Sequence, residues 1–203
     1  MTATTSQSPG ESAQPIVGVF GGSFNPPHLA HVLALSVVHT RFDVERLLVI
    51  PTFQHPFAKS LAPYDDRVKM CELAMGWLPR VEVSRIEEEL GGESRTLRTI
   101  EHLRARYPGK PLRFIMGADI MLDSSKWYGF NRITELAPPI VLGRVGIDYP
   151  GAPAPVLPAI SSTEVRAKLG AVGSHGELGS VGELVPRTVI EYARSRHLYS
   201  KTQ

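Results

Sequence analysis

The chain lacks most features of a secreted, zinc-binding or membrane protein. Cys71 is the only cysteine among 203 residues, which excludes an internal disulfide and a zinc site built from several cysteines. No apolar run approaches the roughly 18 residues of a membrane span. The formal net charge is only +2, and no stretch forms a basic arm, which argues against a nucleic-acid partner. These absences predict a cytoplasmic protein without a membrane segment.

The first fifteen residues differ in composition from the rest of the chain. Residues 1–15, MTATTSQSPGESAQP, are rich in Ser, Thr, Gln and Pro and contain no Lys or Arg. A secretory signal needs a positive start and an apolar stretch of roughly 7–15 residues, and this segment has neither. The composition predicts a disordered tail, with one domain over residues 16–203.

Beyond the tail, short apolar runs alternate with helical patterns. The predicted strands are residues 16–20, 46–51, 81–86, 112–116 and 140–144. The predicted helices cover about 29–40, a stretch from Tyr64, 94–107, a stretch from Ser162, and 186–197. This alternation, with continuously apolar strands, predicts an α/β fold. We expect a Rossmann-like, doubly wound parallel sheet of five strands, with helices on both faces. Residues 146–158 are expected to form a loop, and residues 159–203 a helical cap.

A glycine pair, a proline pair and two histidines follow the first predicted strand, in GGSFNPPHLAH (residues 21–31). Gly21 and Gly22 permit close backbone approach to a ligand, and the prolines fix the start of the next helix. His28 and His31 fall on one face of its first turn, near the positive end of the helix dipole. Ligands of parallel sheets bind beyond the carboxyl ends of the strands. The motif therefore predicts an anion site, and phosphate is the usual occupant.

Other interpretations of this motif are weaker. A P-loop requires GxxxxGK[ST], and no Lys follows the loop. A dinucleotide fingerprint requires GxGxxG, a spacing that Gly18, Gly21 and Gly22 lack. Two histidines three residues apart suit a metal, but no nearby Cys, Asp or Glu completes a ligand set. We therefore predict no metal site built from protein side chains.

Two later stretches also carry chemistry. Ser161 and Glu164 have the spacing of a capping box, and Arg166 adds a positive fork within one turn of that helix start. Gly117 and Asp119 follow the fourth predicted strand, where Asp119 suits either a helix N-cap or a bond to ribose hydroxyls. Each stretch alone is also explained by ordinary helix capping.

Two further side chains have less certain settings. Trp127 lies between Lys126 and Tyr128, so its ring suits either the core or stacking on a flat ligand. Arg144 ends the fifth predicted strand and is expected at the surface.

The motifs together resemble the nicotinate-nucleotide adenylyltransferase family of the His-x-Gly-His nucleotidyltransferase superfamily. Residues 21–31 resemble its GGSFNPPHxGH signature, residues 160–166 its ISSTxIR motif, and residues 114–130 its GAD-to-Trp segment. Residues 184–199 fit the family's usual ending. The resemblance covers nearly all of the chain after the tail.

The resemblance implies adenylyl transfer from ATP to nicotinate mononucleotide, giving deamido-NAD and pyrophosphate in NAD biosynthesis. Mg²⁺ would be carried with ATP. The implied catalytic residues are His28, His31, Lys59 and Arg166. The implied ATP-binding residues are Gly21, Gly22, Ser23, Phe24, His28, His31, Gly117, Asp119, Ser161, Ser162 and Arg166. The implied substrate-binding residues for the mononucleotide are Lys59, Thr96 and Trp127.

This reaction requires placement and charge neutralisation more than proton transfer. A phosphate monoester, with a second pKa of about 6, is already largely dianionic at neutral pH, so the nucleophile needs no general base. His28 and His31 would donate to the α- and β-phosphate oxygens, while Arg166 would hold the leaving group. Phosphate charge would raise the histidine pKa from its usual value of about 6.5.

Three departures from the family pattern affect the expected site. Ala30 replaces the glycine of the signature, which places a methyl group where the backbone is implied to pass the nucleotide. His55 and Lys59 match the family's second phosphate loop only loosely. Arg95 and Arg98 stand where the family's SYTxDT stretch has Tyr and Asp, in the region implied to bind the acceptor.

Several functions remain open on the sequence. The same chemistry would act on nicotinamide mononucleotide, phosphopantetheine or a CTP-dependent alcohol phosphate. Residues 20–26, FGGSFNP, depart from the Thr-x-Gly-x-Phe-Asp-Pro form of phosphopantetheine enzymes, which weighs against them. From another class, a non-catalytic nucleotide-binding protein would explain Ala30 as the mark of a lapsed site. The oligomeric state is also open, a homo-oligomer included.

Overall fold

The computed structural model describes residues 14–55, 61–124, 127–172 and 179–200. Most of the predicted tail and Lys59 therefore lie outside the described residues. The strands are β1 (Ile16–Gly22), β2 (Val44–Pro51), β3 (Val81–Val83), β4 (Leu112–Gly117), β5 (Pro139–Arg144) and β6 (Pro155–Leu157). The helices are α1 (Leu29–Arg41), α2 (Tyr64–Met75), α3 (Ile86–Leu90), α4 (Thr96–Arg106), α5 (Ala118–Leu122), α6 (Phe130–Leu136), α7 (Ser162–Val172) and α8 (Arg187–Ser195), with a 3₁₀ turn at Gly179–Val181.

All neighbouring strands pair in parallel, in the order β3-β2-β1-β4-β5-β6. The predicted parallel sheet is confirmed, but its strand number is wrong, because the sheet has six strands rather than five. The extra strand, β6, lies within residues 146–158, which were expected to form only a loop. It is short and begins at a proline, so no apolar run marks it. Gly143 allows its close approach, since a Cβ there would collide with the carbonyl oxygen of Ala154.

Successive strand residues face opposite sides of the sheet, and each side is buried under helices. Val17 and Val19 pack into the cluster that contains residues of α4 and α6. Ile16 and Phe20 pack into the cluster that contains residues of α1, α2, α7 and α8. Continuous apolar strands are expected when both faces are covered, and helices do cover both faces.

Element boundaries follow local hydrogen bonds. The third strand was predicted to reach residue 86 but ends at Val83, because the Ser84 hydroxyl accepts the amide of Ile86 as α3 begins. α7 begins at Ser162, where the Ser161 Oγ accepts the amide N–H of Glu164 at 3.2 Å, which is half of the predicted capping box. No helix in the described part of the chain is long and apolar enough to cross a membrane.

The strand order reverses between β1 and β4. The chain runs outward from β1 to β3 on one side and from β4 to β6 on the other. In open parallel sheets this switch point leaves a crevice beyond the carboxyl ends of the two central strands. Gly22 ends β1 and Gly117 ends β4, so two of the predicted motifs start at this crevice.

Candidate active site

A cavity of about 630 Å³ occupies the crevice at the switch point. Its size is typical of small-molecule sites. The lining includes residues from all three predicted motifs, namely Gly21, Gly22, Ser23, Phe24, His28, Ala30, His31, Gly117, Asp119, Trp127, Ser161, Ser162 and Arg166. Thr96 and His55 also line it. The tertiary structure thus brings together segments that are more than 130 positions apart in the sequence.

The two histidines stack at the start of α1. Their ring centroids are 3.7 Å apart and their planes differ by 24°. The backbone N–H of His28 donates to Nδ1 of His31 at 3.0 Å. Because Nδ1 accepts this bond, the proton of a neutral His31 ring is on Nε2, which is then a donor for a phosphate oxygen. His28 is 4% exposed, and its Nδ1 has no hydrogen-bond partner within the described residues.

Burial and nearby positive charge favour the neutral form of both imidazoles. Burial, with a smaller effect of the Arg144 charge, lowers the pKa of His28 to about 4. Burial and the neighbouring His28 and Arg144 lower the pKa of His31 well below its usual value. The predicted rise in pKa depends on phosphate charge and stays a prediction. The lowered pKa values favour neutral rings, and the negative charge of a bound polyanion would raise these pKa values again.

The start of α7 is hydrogen-bonded to the first loop. Ser162 Oγ donates to the carbonyl oxygen of Pro26 at 3.0 Å. Arg166 Nη1 donates to the carbonyl oxygen of Asn25 at 2.7 Å. These bonds connect the first and last predicted motifs directly, so Arg166 and the two histidines border one cavity.

Arg144 contradicts its predicted surface position. Its side chain is 22% exposed, its Nη1 donates to Asp119 Oδ2 at 3.1 Å, and its Nη2 donates to the carbonyl oxygen of Ile160. It also lines the cavity. The prediction was wrong because β6 and the segment before α7, which cover the end of β5, gave no signal in the sequence.

The backbone of the first loop approaches the cavity closely, while Phe24 fills the space beneath it. A Cβ at Gly21 would face open space, with no described atom within 4 Å. The Phe24 ring is 2% exposed and packs edge-on against His31, with the centroids 5.0 Å apart. Ala30 is 5% exposed and its methyl group belongs to the core cluster beside the cavity. Phe24 thus supports His31 from below.

The opposite end of the cavity is more open. Trp127 packs at a tilt against Phe114 and edge-on against Phe130, at centroid distances of 5.9 and 6.4 Å, and keeps part of its surface exposed. Tyr128 beside it is 73% exposed. Thr96 begins α4 at this end. A partly exposed tryptophan at the cavity wall is suited to stacking on a flat ring.

Arg95 and Arg98, which replace Tyr and Asp of the family's SYTxDT stretch, both have partners within the protein. Arg95 forms an ion pair with Glu93 and lines the cavity. Arg98 Nη2 donates to the carbonyl oxygens of Gly91 and Glu93. Arg98 is therefore engaged in holding a turn, and only Arg95 borders the acceptor end.

Sequence reasoning missed Glu87, a buried carboxylate on the cavity wall. It is 7% exposed and accepts the backbone N–H of Phe53 at 3.1 Å and the hydroxyl of Thr99 at 3.3 Å. Burial raises its pKa. The run of three glutamates at 87–89 resembles a solvated helix face, so no sequence signal marked this one as buried. No group of three or more potential metal-ligating side chains occurs in the described ranges.

The parallel sheet and its switch-point cavity, lined by the histidine pair and by Arg166, define a nucleotide-binding α/β protein. Residues 19–168 match the Cytidylyltransferase-like family model. Over 187 residues the chain is 44% identical to the probable nicotinate-nucleotide adenylyltransferase of Anaeromyxobacter dehalogenans, a match covering 90% of this chain and 96% of the relative. It is 41% identical over 187 residues to the corresponding protein of Myxococcus xanthus, covering 90% and 94%. The chain therefore belongs to the nicotinate-nucleotide adenylyltransferase family.

A solved structure supports the fold independently. The Plasmodium falciparum nicotinic acid mononucleotide adenylyltransferase complexed with NaAD superposes with a TM-score of 0.78. The match covers 92% of this chain and 98% of that one at 17% identity. The two chains thus share the fold although few of their residues are identical.

Proposed function

We propose that the chain transfers the adenylyl group of ATP to nicotinate mononucleotide, releasing pyrophosphate and forming deamido-NAD. Family membership supports the substrates. The main structural support for this chemistry is the hydrogen bond from Arg166 to the first loop. This bond holds Arg166 at the cavity that the paired imidazoles also line.

The transfer is an in-line displacement at the α-phosphorus of ATP. A phosphate oxygen of the mononucleotide forms the new bond, and the α–β bridging bond breaks with its electron pair leaving on pyrophosphate. Nε2–H of His31 would donate to a phosphate oxygen, and His28 would do so as the phosphates offset its lowered pKa. Arg166 and the hydroxyl of Ser161 would hold the β- and γ-phosphates, and Ser162 would join them by turning its hydroxyl hydrogen away from the carbonyl oxygen of Pro26.

Mg²⁺ would enter with the triphosphate as part of the substrate. Bound mainly through the triphosphate, it would neutralise charge that develops on the phosphates, so it needs few protein ligands. Lys59, outside the described residues, is proposed to add positive charge on the phosphate side.

The remaining residues would bind the nucleosides. Gly117 allows backbone approach, and Asp119 retains acceptor capacity for ribose hydroxyls beside its bond to Arg144. Trp127 would stack on the pyridine ring, with Thr96 at the edge of the same pocket.

Pyrophosphate release, measured with ATP–Mg²⁺ and each acceptor in parallel, tests this proposal. The acceptors are nicotinate mononucleotide, nicotinamide mononucleotide and phosphopantetheine, and CTP replaces ATP in a further arm. We expect the highest kcat/KM with ATP and nicotinate mononucleotide. Preference for another acceptor would reassign the substrate, and release with none would favour a non-catalytic nucleotide-binding protein.

A further inference from the structure

Arg67 is a buried charge outside the predicted motifs. It lies on α2, is 1% exposed, and is among the largest fully buried side chains. Buried charges are usually paired with an opposite charge. Within the described ranges Arg67 forms no ion pair, and its hydrogen bonds go to backbone carbonyls. Nη1 donates to Ser23 at 3.0 Å and Nε donates to Ala62 at 2.9 Å.

The nearby carboxylates are committed to other partners. Asp66, the preceding residue, accepts hydrogen bonds from Tyr192 and Arg196. Glu87 accepts the amide of Phe53 and the hydroxyl of Thr99. The Arg67 guanidinium lies over the ring of Tyr64, 5.5 Å from its centroid, and no carboxylate in the described ranges forms an ion pair with it behind the first loop.

Asn25 completes a second connection between the same two segments. Its Oδ1 accepts the backbone N–H of Ala62 at 3.1 Å and the hydroxyl of Tyr199 at 2.8 Å. Arg67 binds the carbonyl of Ala62 while Asn25 binds its amide. The turn from Ser23 to Asn25 is consequently held at both ends.

That turn contains a strained residue. Phe24 has φ of +45°, in the left-handed region that non-glycine residues rarely adopt. Such a conformation persists only where the surrounding structure holds it. The Arg67 bond holds the residue before Phe24, and the Asn25 bonds hold the residue after it. The Phe24 ring in turn packs under His31.

We propose that Arg67 is a positioning residue for the triphosphate site, since it holds the Ser23–Asn25 turn and places behind it a positive charge that forms no ion pair within the described ranges. This inference rests on the proposed function. By fixing the turn, Arg67 sets the packing beneath His31 and the carbonyl of Asn25 that orients Arg166. In the low dielectric of the protein interior, its charge also favours an anion on the other side of the loop.

The test uses Arg67→Met, which removes charge and both bonds at similar length, and Arg67→Lys, which keeps the charge but cannot span both carbonyls. Lys69→Met is the matched control, because Lys69 is an exposed cation on the same helix. We expect Arg67→Met to raise the KM for ATP about tenfold or more, with the KM for nicotinate mononucleotide within about twofold. We expect Arg67→Lys to lie between it and the wild type, and Lys69→Met to match the wild type.

A second readout is the rise in Tm caused by inorganic pyrophosphate, which needs no turnover. Arg67→Met should lose most of this rise. An unchanged rise with a lower basal Tm, or equal increases in both KM values, would overturn the proposal in favour of a purely structural role. If Arg67→Met does not fold, a wild-type KM for ATP in Arg67→Lys would overturn it. An inactive wild type that still responds to pyrophosphate would count against the proposed function but not against this inference.

Discussion

The two ends of the cavity are built in different ways. At the phosphate end, His28 and Asn25 are 4% and 3% exposed, and the first loop is hydrogen-bonded to α2 and α7. At the acceptor end, Tyr128 is 73% exposed, and Trp127 is only partly buried and packs its ring beside Phe114 and Phe130.

This difference matches the demands of each end. Stabilising negative charge in a transition state requires hydrogen-bond donors that are already held in position. Buried residues that are hydrogen-bonded to neighbouring elements meet this requirement. Holding a flat ring requires a surface that the ring can reach and leave. Changes at the phosphate end should therefore reduce turnover or raise the KM for ATP, whereas changes at the acceptor end should raise the KM for nicotinate mononucleotide.

The sharpest test of the phosphate end is His31→Ala. Because it removes a donor aimed at the reacting phosphates, we expect kcat to fall by roughly 10²–10³. Steady-state pyrophosphate release measures this effect. His39→Ala is the control, since His39 lies on the same helix and bonds the carbonyl of Pro79. Near-normal turnover in His31→Ala would contradict the assignment.

Arg166→Met should have the next largest effect. It removes a charged donor to Asn25 and the proposed hold on the leaving phosphates, so kcat/KM for ATP should fall by about 10- to 100-fold. The KM for nicotinate mononucleotide should change little. Arg132→Met, at an exposed arginine paired with Glu135, serves as control. If only the KM for nicotinate mononucleotide rose, Arg166 would act at the acceptor end, and the assignment to the leaving phosphates would be wrong.

Trp127→Ala tests the acceptor end. Loss of ring stacking should raise the KM for nicotinate mononucleotide by about tenfold, because such stacking is worth about 1–3 kcal/mol per base. The KM for ATP and kcat should stay close to wild type. Trp77→Ala, at a tryptophan that is 68% exposed, controls for loss of an indole. An equal rise in the KM for ATP and the KM for nicotinate mononucleotide would show that Trp127 does not act on the acceptor alone.

The smallest predicted effect concerns stability and pH. The pKa of His28 is lowered to about 4 by burial, so below its unfolded value of 6.5 the unfolded chain binds a proton that the folded chain does not. Stability from this group is present above pH 6.5 and is lost as the pH falls toward 4, by about 1 kcal/mol between pH 7 and 5.5. Thermal unfolding of wild type and His28→Gln over this range measures it. A parallel pH dependence in both proteins would contradict the assigned pKa.

The first motif was the most predictable part of the site. The glycines, prolines and histidines of residues 21–31 lie in one contiguous motif, and the structure places them at the end of β1, as expected. Arg144 and Glu87 were missed because their burial depends on β6, Phe53 and Thr99, which are distant in the sequence. The roles of all these residues in catalysis stay predictions.

The amino-acid sequence by itself determined the parallel α/β fold and the three motifs, because apolar periodicity, turn residues and helix caps act between neighbours along the chain. Only the tertiary structure decided which carboxylate pairs with Arg144, that no carboxylate in the described ranges forms an ion pair with Arg67, and that a sixth strand extends the edge of the sheet. Those outcomes depend on contacts between segments whose separation in the sequence carries no periodic signal.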